Sequence, residues 1–249
     1  MIRSVSQPQS PAWRRSHRRR HRRAWVIMAG VIGSLILLVA LGRLNGFSWL
    51  DLSSAVANTT YRLLLAYVIA LVAGVSIALL VGWSSLSDIL FPVFDILQNI
   101  PSFALIPFFI YFLGYTNLMI IIFSVSSIVW PILFAVLTAI KNAHSDLNDA
   151  ATIFGARGFR RIPYYLAPLS YPAILTGSIV GIAIGWESII GAEIITNVAG
   201  FGSFIKNVSS TGISEAAVAG MFLILIIVFI INRIVWAPLL AQSSRRYAE

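Results

Sequence analysis

Long hydrophobic runs separated by short polar stretches dominate the pattern along this chain of 249 residues. Six of these runs reach the roughly 20 residues that an α-helix needs to cross a bilayer. They cover residues 24–42, 60–83, 89–113, 118–140, 169–195 and 216–240. The pattern predicts an all-α polytopic membrane protein with six transmembrane helices. After the first helix, residues 58–240 are expected to form one membrane domain.

Composition supports a membrane protein rather than a soluble one. Hydrophobic residues make up 58% of the chain and charged residues 11%, whereas an average soluble domain has about 25% charged residues. The mean hydropathy of +0.86 agrees with this. The chain has no cysteine, which excludes disulfides and cysteine-based metal sites.

The third run is interrupted by three prolines, Pro92, Pro101 and Pro107. Proline frees backbone carbonyl groups, and lipid cannot hydrogen-bond to them. We therefore expect a broken helix that faces the protein interior, with Asn99, Pro101 and Ser102 as candidates for lining a translocation pathway. A simple proline-kinked packing helix is the alternative.

Two carboxylates, Glu187 and Glu193, lie in the fifth run. A carboxylate inside a membrane span is costly and normally faces a cavity, a partner or another helix. Because the two are six positions apart, they project about 120° from each other on a helix. Glu193 is near the outer end, where we expect it to reach water. Glu187 is deeper, so it is the better pathway candidate, with a structural hydrogen bond as the alternative.

Positive charge is unevenly distributed along the chain. Seven arginines between positions 14 and 23 account for most of the net charge of +9. If this tail, residues 1–23, is cytoplasmic, then the loop at 141–168 and the tail at 241–249 are cytoplasmic too. Both contain Lys or Arg, as the positive-inside rule requires. Both termini are therefore predicted to be cytoplasmic.

The arginine-rich tail has three possible interpretations. We interpret it as a topology anchor resting on anionic lipid headgroups. Binding to nucleic acid is disfavoured, because no basic domain with interleaved aromatic residues follows it. A cleaved signal peptide is also disfavoured, because residues 24–42 are long for its apolar core and no clear cleavage site follows.

The longest polar interruption covers residues 141–177. Four side chains in it share one helix face at positions i, i+3, i+4 and i+7: Leu147, Ala150, Ala151 and Phe154. Ser145 is predicted to be the N-cap of this helix, and Gly155 lies where the helix would end. The loop is either a solvated connector whose arginines set topology, or a docking helix for a groove on a partner.

The residues of this loop resemble a known motif. The sequence Asp149-Ala150-Ala151, then Gly155-Ala156, Pro168, Pro172 and Gly177 is similar to the EAA loop of ABC-importer permeases of the binding-protein-dependent type. Within that family, the nitrate, sulfonate/taurine and bicarbonate permeases are the most similar group. Asp149 stands where the family usually has Glu, and Ala167 replaces the Leu before Pro168. Gly200-Phe201-Gly202, in a Gly- and Ser-rich outer loop at 196–215, resembles the family's turn after the fifth span.

The resemblance implies the type I importer fold and a location in the bacterial inner membrane. It implies that a coupling helix in this loop contacts separate ABC ATPase subunits through Leu147, Asp149, Ala150, Ala151, Phe154, Gly155, Ala156 and Arg157. A solute-binding protein and a second permease copy are the other implied partners. ATP and Mg would be bound by the ATPase, so no cofactor is expected in this chain. The implied solute is a nitrate-, sulfonate- or bicarbonate-like anion or a small organic precursor, moved by alternating access.

An enzymatic function is disfavoured by the residues themselves. The only histidines, His17, His21 and His144, lie in expected cytoplasmic segments, so they cannot form an intramembrane catalytic or metal site. No phosphate-binding G-x-x-x-x-G-K-[ST] motif occurs. ATP-driven transport would therefore need a separate ATPase. The alternative function is an ion-coupled secondary carrier with Glu187 as its proton relay.

Overall fold

The computed structural model describes residues 48–84, 87–210 and 214–247, and within them the regular structure is helical. The helices are α1 (Trp49–Trp83), α2 (Ser87–Gln98), α3 (Ile106–Leu113), α4 (Asn117–Lys141), α5 (Ser145–Ile153), α6 (Ala167–Thr196), α7 (Phe201–Ser210), α8 (Ser214–Ile231) and α9 (Ala237–Tyr247). Shorter 3₁₀ turns cover Ser102–Leu105 and Gly158–Arg160, and π-helical turns cover Ile162–Leu166 and Asn232–Trp236. The predicted first span and the arginine-rich tail lie outside the described residues.

Five of the predicted spans fall on described helices. Four continuous segments are long and apolar enough to cross a membrane: Leu50–Trp83, Asn117–Lys141, Gly158–Thr196 and Gly220–Leu240. Ser87–Gln98 and Ser102–Leu113 are long and apolar enough only when taken together, and the chain bends by 81° between them, as in a broken span or a re-entrant loop. The predicted break in the third hydrophobic run is thus confirmed.

Helix α1 begins eleven residues before the predicted span. Ser48 is its N-cap, and the Ser48 side chain accepts a hydrogen bond from the Asp51 amide at 3.3 Å. Leu52 and Val56 are buried and pack against Phe201 of α7. Asp51, Ser53, Ser54 and Asn58 interrupt the apolar residues in this first part of α1, so a search for uniformly apolar runs does not detect it.

The core of the membrane domain lies between α1, α4 and α6. Phe123 and Ile128 of α4 are fully buried there, together with Ala70 of α1. Small residues allow the helices to approach closely. A Cβ atom added to Gly177 of α6 would lie 2.8 Å from the carbonyl oxygen of Pro131 on α4. Helices α4 and α6 are therefore in backbone contact at this point.

The bent pair α2–α3 lies at the edge of this core. Helix α2 has no buried residue, and Ile106 is the buried residue of α3. Phe103 attaches the bend to the core, with its ring centroid 6.0 Å from that of Phe123. Phe91 and Phe94 of α2 pack their rings on Phe134 and Trp130 of α4, so one side of the bent pair contacts the core and the other side is exposed in the single chain. That the segment lines a pathway stays a prediction.

The outer loop at 196–215 contains a helix. Asn197, with a left-handed φ of 56°, ends α6, and α7 begins four residues later. Phe201, Gly202 and Ser203 are buried at the start of α7. The composition of this stretch resembles that of a flexible connector, but burial of the Phe201 ring folds it against the membrane domain.

Candidate functional site

Helix α5 is a short helix with a well-defined end. Gly155 has a φ of +84° and donates its amide to Thr152 O at 3.2 Å, while Ala156 N donates to Ala151 O at 2.9 Å. These two bonds form a Schellman motif, which favours glycine at the left-handed position. The predicted end of the helix is confirmed. The predicted N-cap is wrong by one residue, because His144 is the N-cap and Ser145 is the first helical residue.

Large apolar side chains on α5 and at its end point away from the protein. Ile153 is 81% exposed, Phe154 89% and Leu147 47%. Beside them lies an open cavity of about 690 Å³, to which the loop contributes Leu147, Ala151, Phe154, Gly155, Ala156, Arg160, Tyr164 and Tyr165. Five of the eight residues predicted for ATPase coupling thus come together. The other three, Asp149, Ala150 and Arg157, do not line this cavity.

Two side-chain contacts position the loop that contains α5, one with α1 and one within the loop. The Trp83 ring at the end of α1 makes an edge-to-face contact with Phe159, with centroids 5.9 Å apart. The Arg161 guanidinium donates to the Asn148 side-chain oxygen of α5. These contacts connect α5 to the end of α1 and to the segment that leads into α6.

Replacing Gly155 with alanine is expected to loosen the end of α5. A residue with a Cβ atom costs about 1–2 kcal/mol in the left-handed region, which corresponds to a roughly 5- to 30-fold larger population of the opened loop. Trypsin cleavage after Arg157, followed by mass spectrometry, measures this population. Gly155→Asn is the matched control and should have a smaller effect, because asparagine tolerates this conformation better. Equal cleavage of all three proteins would contradict the capping role.

A second cavity, of about 510 Å³, lies at the break between α2 and α3. Its lining includes Gln98 and Ser102 from the break, Trp130 from α4 and Ile184 from α6. Of the three predicted pathway residues in this region, Ser102 lines the cavity. The other two, Asn99 and Pro101, are exposed at the break without lining it.

Glu187 is exposed on α6, and no described side chain pairs with it. It lies on the same face of α6 as Ile184, which lines the second cavity, and Gly191, which packs against Phe103 of the break. A carboxylate on a membrane-crossing helix does not face lipid, so this face is expected to meet water or another protein chain. In the described part of the chain, acidic and histidine side chains form no group of three that could hold a metal ion.

Glu193 is completely buried, so the expectation that it reaches water is wrong. Its carboxylate forms an ion pair with Arg62 of α1. Both carboxylate oxygens lie 2.9 Å from the Thr59 hydroxyl, and Oε2 accepts the Gly202 amide at 2.8 Å. This cluster satisfies the charge inside the protein, so the geometry does not favour Glu193 as a pathway residue.

Arg62 extends the cluster to two further parts of the chain. It donates to the Asn117 side-chain oxygen at 2.6 Å and to the carbonyl oxygen of Ala199 at 2.7 Å. The cluster therefore joins α1, α4, α6 and the turn before α7. A Cβ atom on Gly200, in this turn, would overlap the Glu193 carboxylate, so the turn needs glycine to approach it. A Cβ atom on Gly202, at the start of α7, would lie only 2.8 Å from Glu193 Cβ.

Sequence reasoning missed the roles of Arg62, Thr59 and Asn117. In the sequence, Arg62 is a basic residue near one end of the predicted span at 60–83. The signal that would have revealed it is the presence of one base and one acid in apolar runs on the same side of the membrane, because such charges normally pair.

Comparison with known proteins identifies related chains. The family model described as "Binding-protein-dependent transport system inner membrane component" matches residues 70–237. The taurine transport system permease protein TauC of Escherichia coli (strain K12) is 25% identical over 196 residues, which are 78% of this chain and 71% of TauC. The nitrate import permease protein NrtB of Leptolyngbya laminosa is 25% identical over 184 residues, 72% of this chain and 65% of NrtB.

The bicarbonate transport system permease protein CmpB of Synechococcus elongatus is 28% identical over 163 residues, 65% of this chain and 57% of CmpB. The aligned part thus covers between 57% and 71% of the length of these three relatives. The family match includes the broken span, the α5 loop and the Arg-paired carboxylate on α6. The chain therefore belongs to the binding-protein-dependent transport system inner membrane component family, as an ABC-importer permease with the type I importer transmembrane fold, in the group of the taurine, nitrate, sulfonate and bicarbonate permeases.

Proposed function

We propose that this chain forms the translocation pathway of an ATP-driven importer and that the α5 loop binds a separate ATPase subunit. The observation that supports this most is the exposure of Leu147, Ile153 and Phe154 on a helix at one end of the membrane domain. Leaving such apolar area in water is unfavourable by about 25 cal/mol per Å². A groove on a partner that receives this helix would remove the cost.

The attachments of the loop support a role in transmitting movement. Because Phe159 packs on Trp83 and Arg161 binds Asn148, a displacement of α5 is passed to α1 and to the start of α6. ATP binding and hydrolysis in the partner would move the loop, and rigid-body movement of the helices would open the pathway alternately to each side. ATP and Mg are bound by the ATPase in this proposal.

The exposed polar residues support a second permease copy. Asp95 and Asn99 on the bent pair and Glu187 on α6 are exposed, although their segments cross the membrane. Lipid is an unfavourable environment for them. A homodimer with a water-filled path at its interface would provide a favourable one.

The remaining partners follow from the relatives. Because those relatives are named for taurine, nitrate and bicarbonate, we propose a small solute, delivered by a solute-binding protein at the outer face. In this arrangement both termini and the α5 loop are on the cytoplasmic side of the inner membrane. Residues 1–23 then act as a lipid-bound anchor.

Changing Phe154 to aspartate is expected to abolish binding of the ATPase. A charge would replace the most exposed apolar side chain of the loop, and burying it without a partner is unfavourable. The measurement is co-purification from native membranes, followed by an assay of ATP hydrolysis on the eluate. We expect the hydrolysing subunit to accompany the wild type and to decrease at least tenfold with the variant.

The matched control for this experiment is Thr152→Ala. Thr152 is exposed on the same helix, and its hydroxyl donates only to Asn148 O within that helix. This variant should retain the ATPase at the wild-type level. Absence of an ATPase from the wild-type eluate would overturn the proposed function.

An ion-coupled carrier is the second candidate, because Glu187 is exposed on a span without a partner in the described residues. In that case a protonophore would stop uptake, and Glu187→Gln would abolish it. Uptake by the ATP-driven importer would instead stop when ATP is depleted and would continue when the proton gradient is collapsed at constant ATP.

A further inference from the structure

A cavity of about 200 Å³ lies where the membrane helices meet the α5 loop. Gly82 lines it near the end of α1, Ser87 is the first residue of α2, and Lys141 is the last residue of α4. Asn148 of α5 and Arg161, in the segment that leads into α6, line it from the loop. Because it lies at helix ends, this basic cavity is at the level of the lipid headgroups rather than of the acyl chains.

Exposed aromatic residues at the same end of the protein agree with this depth. The Trp83 ring is exposed at the end of α1, and the Tyr164 ring is exposed in the segment before α6. Trp and Tyr are enriched where a membrane protein passes from lipid to water.

The four polar side chains that line the basic cavity can all donate hydrogen bonds. Lys141 and Arg161 also carry positive charge, and among the described residues no Asp or Glu lines the cavity. Because Asn148 Oδ1 accepts a hydrogen bond from Arg161, the Asn148 Nδ2 group is left as a donor, and the Ser87 hydroxyl can donate as well. This combination of donors and positive charge favours an anion.

The charge of Arg161 has no counter-charge in the described part of the chain. The ion pairs found there involve other residues, and the hydrogen-bond acceptor of Arg161 is the neutral Asn148 side chain. Its buried Nε–H group has no hydrogen-bond partner. A partly buried cation without an anion is unfavourable, and the planar guanidinium group matches the oxygen atoms of a phosphate.

Lys141 can contribute a second positive charge. Its ammonium lies 3.4 Å from the Asp88 carboxylate, but these side chains are 54% and 83% exposed. Such an exposed ion pair contributes little to stability, so the ammonium can turn to another anion at little cost. Two cations and one carboxylate leave the surroundings of the basic cavity positive.

The inner wall of the basic cavity is apolar. It is formed by Leu137 and Ile140 of α4 and by Leu166. A free inorganic ion would gain nothing from this wall, whereas the first carbon atoms of a lipid would bury apolar area on it. In the proposed orientation this end of the protein lies at the cytoplasmic leaflet, whose anionic lipids attract basic residues.

We propose that the basic cavity binds a phosphate group, either that of an anionic lipid headgroup or free phosphate. Its volume of about 200 Å³ is below the roughly 300–1,000 Å³ of sites for small organic ligands, which fits a group of this size. A phosphate held by Lys141 and Arg161 connects the end of α4 to the segment before α6. It therefore fixes the α5 loop against the membrane domain, a role that goes beyond the proposed function.

The test is equilibrium binding to the full-length protein in detergent, purified with any subunits that accompany it. One radiolabelled probe is short-chain dioctanoyl phosphatidic acid, and the other is inorganic phosphate. Unlabelled dioctanoylglycerol, which has the same chains without the phosphate, is the competitor that measures binding through the chains alone.

We expect Arg161→Gln to weaken binding of phosphatidic acid about tenfold, because a hydrogen bond between charged groups is lost. Lys141→Gln should weaken it about fivefold, the effect of removing one basic residue near a membrane surface. Lys141→Arg should retain most of the affinity. Because Lys141 is exposed at a helix end, Lys141→Gln tests the site by itself if Arg161→Gln does not fold.

The matched control is Lys206→Gln, which makes the same change of charge on α7. Lys206 is exposed, and its ammonium donates to Ile194 O at 3.0 Å, away from the basic cavity. This variant should bind both probes like the wild type.

The two probes distinguish the source of the phosphate. Loss of phosphatidic acid binding in the Lys141 and Arg161 variants identifies a lipid site, and the same pattern for inorganic phosphate alone identifies a site for free phosphate. Equal binding by all variants, displacement by dioctanoylglycerol as effective as by phosphatidic acid, or binding of neither probe would overturn the proposal. Binding does not require an ATPase, so this proposal and the proposed function can fail separately.

Discussion

Replacing Glu193 with leucine is expected to destabilise the folded protein by about 3–5 kcal/mol. The change leaves Arg62 as an unpaired buried charge, because Arg62 is 4% exposed and its ion pair is with this carboxylate. It also leaves the Gly202 amide without its acceptor. Thermal unfolding in detergent, followed by size-exclusion chromatography with intrinsic fluorescence, measures the loss.

Two further variants separate the charge from other effects. The double change Arg62→Met with Glu193→Leu removes both charges and should recover most of the lost stability, because an apolar pair of similar size tolerates burial. Glu187→Leu makes the same substitution at an exposed position of the same helix and should change stability by less than about 0.5 kcal/mol. If Glu193→Leu and Glu187→Leu unfold at the same temperature, the ion pair has no structural role.

The second large effect is expected for Gly177→Val, at about 3 kcal/mol of destabilisation. The added Cβ would lie 2.8 Å from the carbonyl oxygen of Pro131 and 2.9 Å from Ile132 Cα. Both are backbone atoms of α4, so no side-chain rotation can relieve the clash. Helices α4 and α6 would have to separate, and the surrounding core contacts would be lost.

The matched control is Ala183→Val, because Ala183 is exposed on the same helix. It should unfold within a few degrees of the wild type in the same assay. A Gly177→Val protein as stable as this control would show that the α4–α6 contact is looser than the structure indicates.

The contacts changed in these two variants also determine which helices move together. The Glu193 cluster joins α7 to α1, α4 and α6, and Gly177 holds α4 against α6. These contacts make the three-helix core and the outer helix a single unit. The bent pair α2–α3 has one buried residue, Ile106, so a rigid-body rearrangement displaces it at a lower energetic cost than any helix of the three-helix core.

Local signals were sufficient to predict the α5 loop. The stripe from Leu147 to Phe154 and the glycine at 155 specify a short helix and its end, because each depends on neighbours within four residues. The N-cap differed by one position, since the backbone of His144 (φ −58°, ψ 139°) is the last non-helical one and Ser145 is already helical. The coupling role of the loop residues remains a prediction.

Glu193 shows where local signals were insufficient. Its partners Thr59 and Arg62 are more than 130 positions away in the chain, and nothing near Glu193 distinguishes a buried ion pair from a carboxylate that reaches water. The helix in the outer loop could not be predicted for the same reason. It forms where Phe201 is buried against Leu52, and this burial depends on how α1 and α6 are placed.

By itself, the sequence determined the membrane class, the four continuous spans within the described residues, the break at the prolines and the α5 loop. These depend on hydrophobic run length and on backbone chemistry, which act within a few residues. Only the tertiary structure decided that Glu193 is buried, that Glu187 is exposed and that the bent pair lies at the edge of the core. These depend on which helix faces pack together, and that is set by close approach at small residues such as Gly177 and by pairing of distant charges.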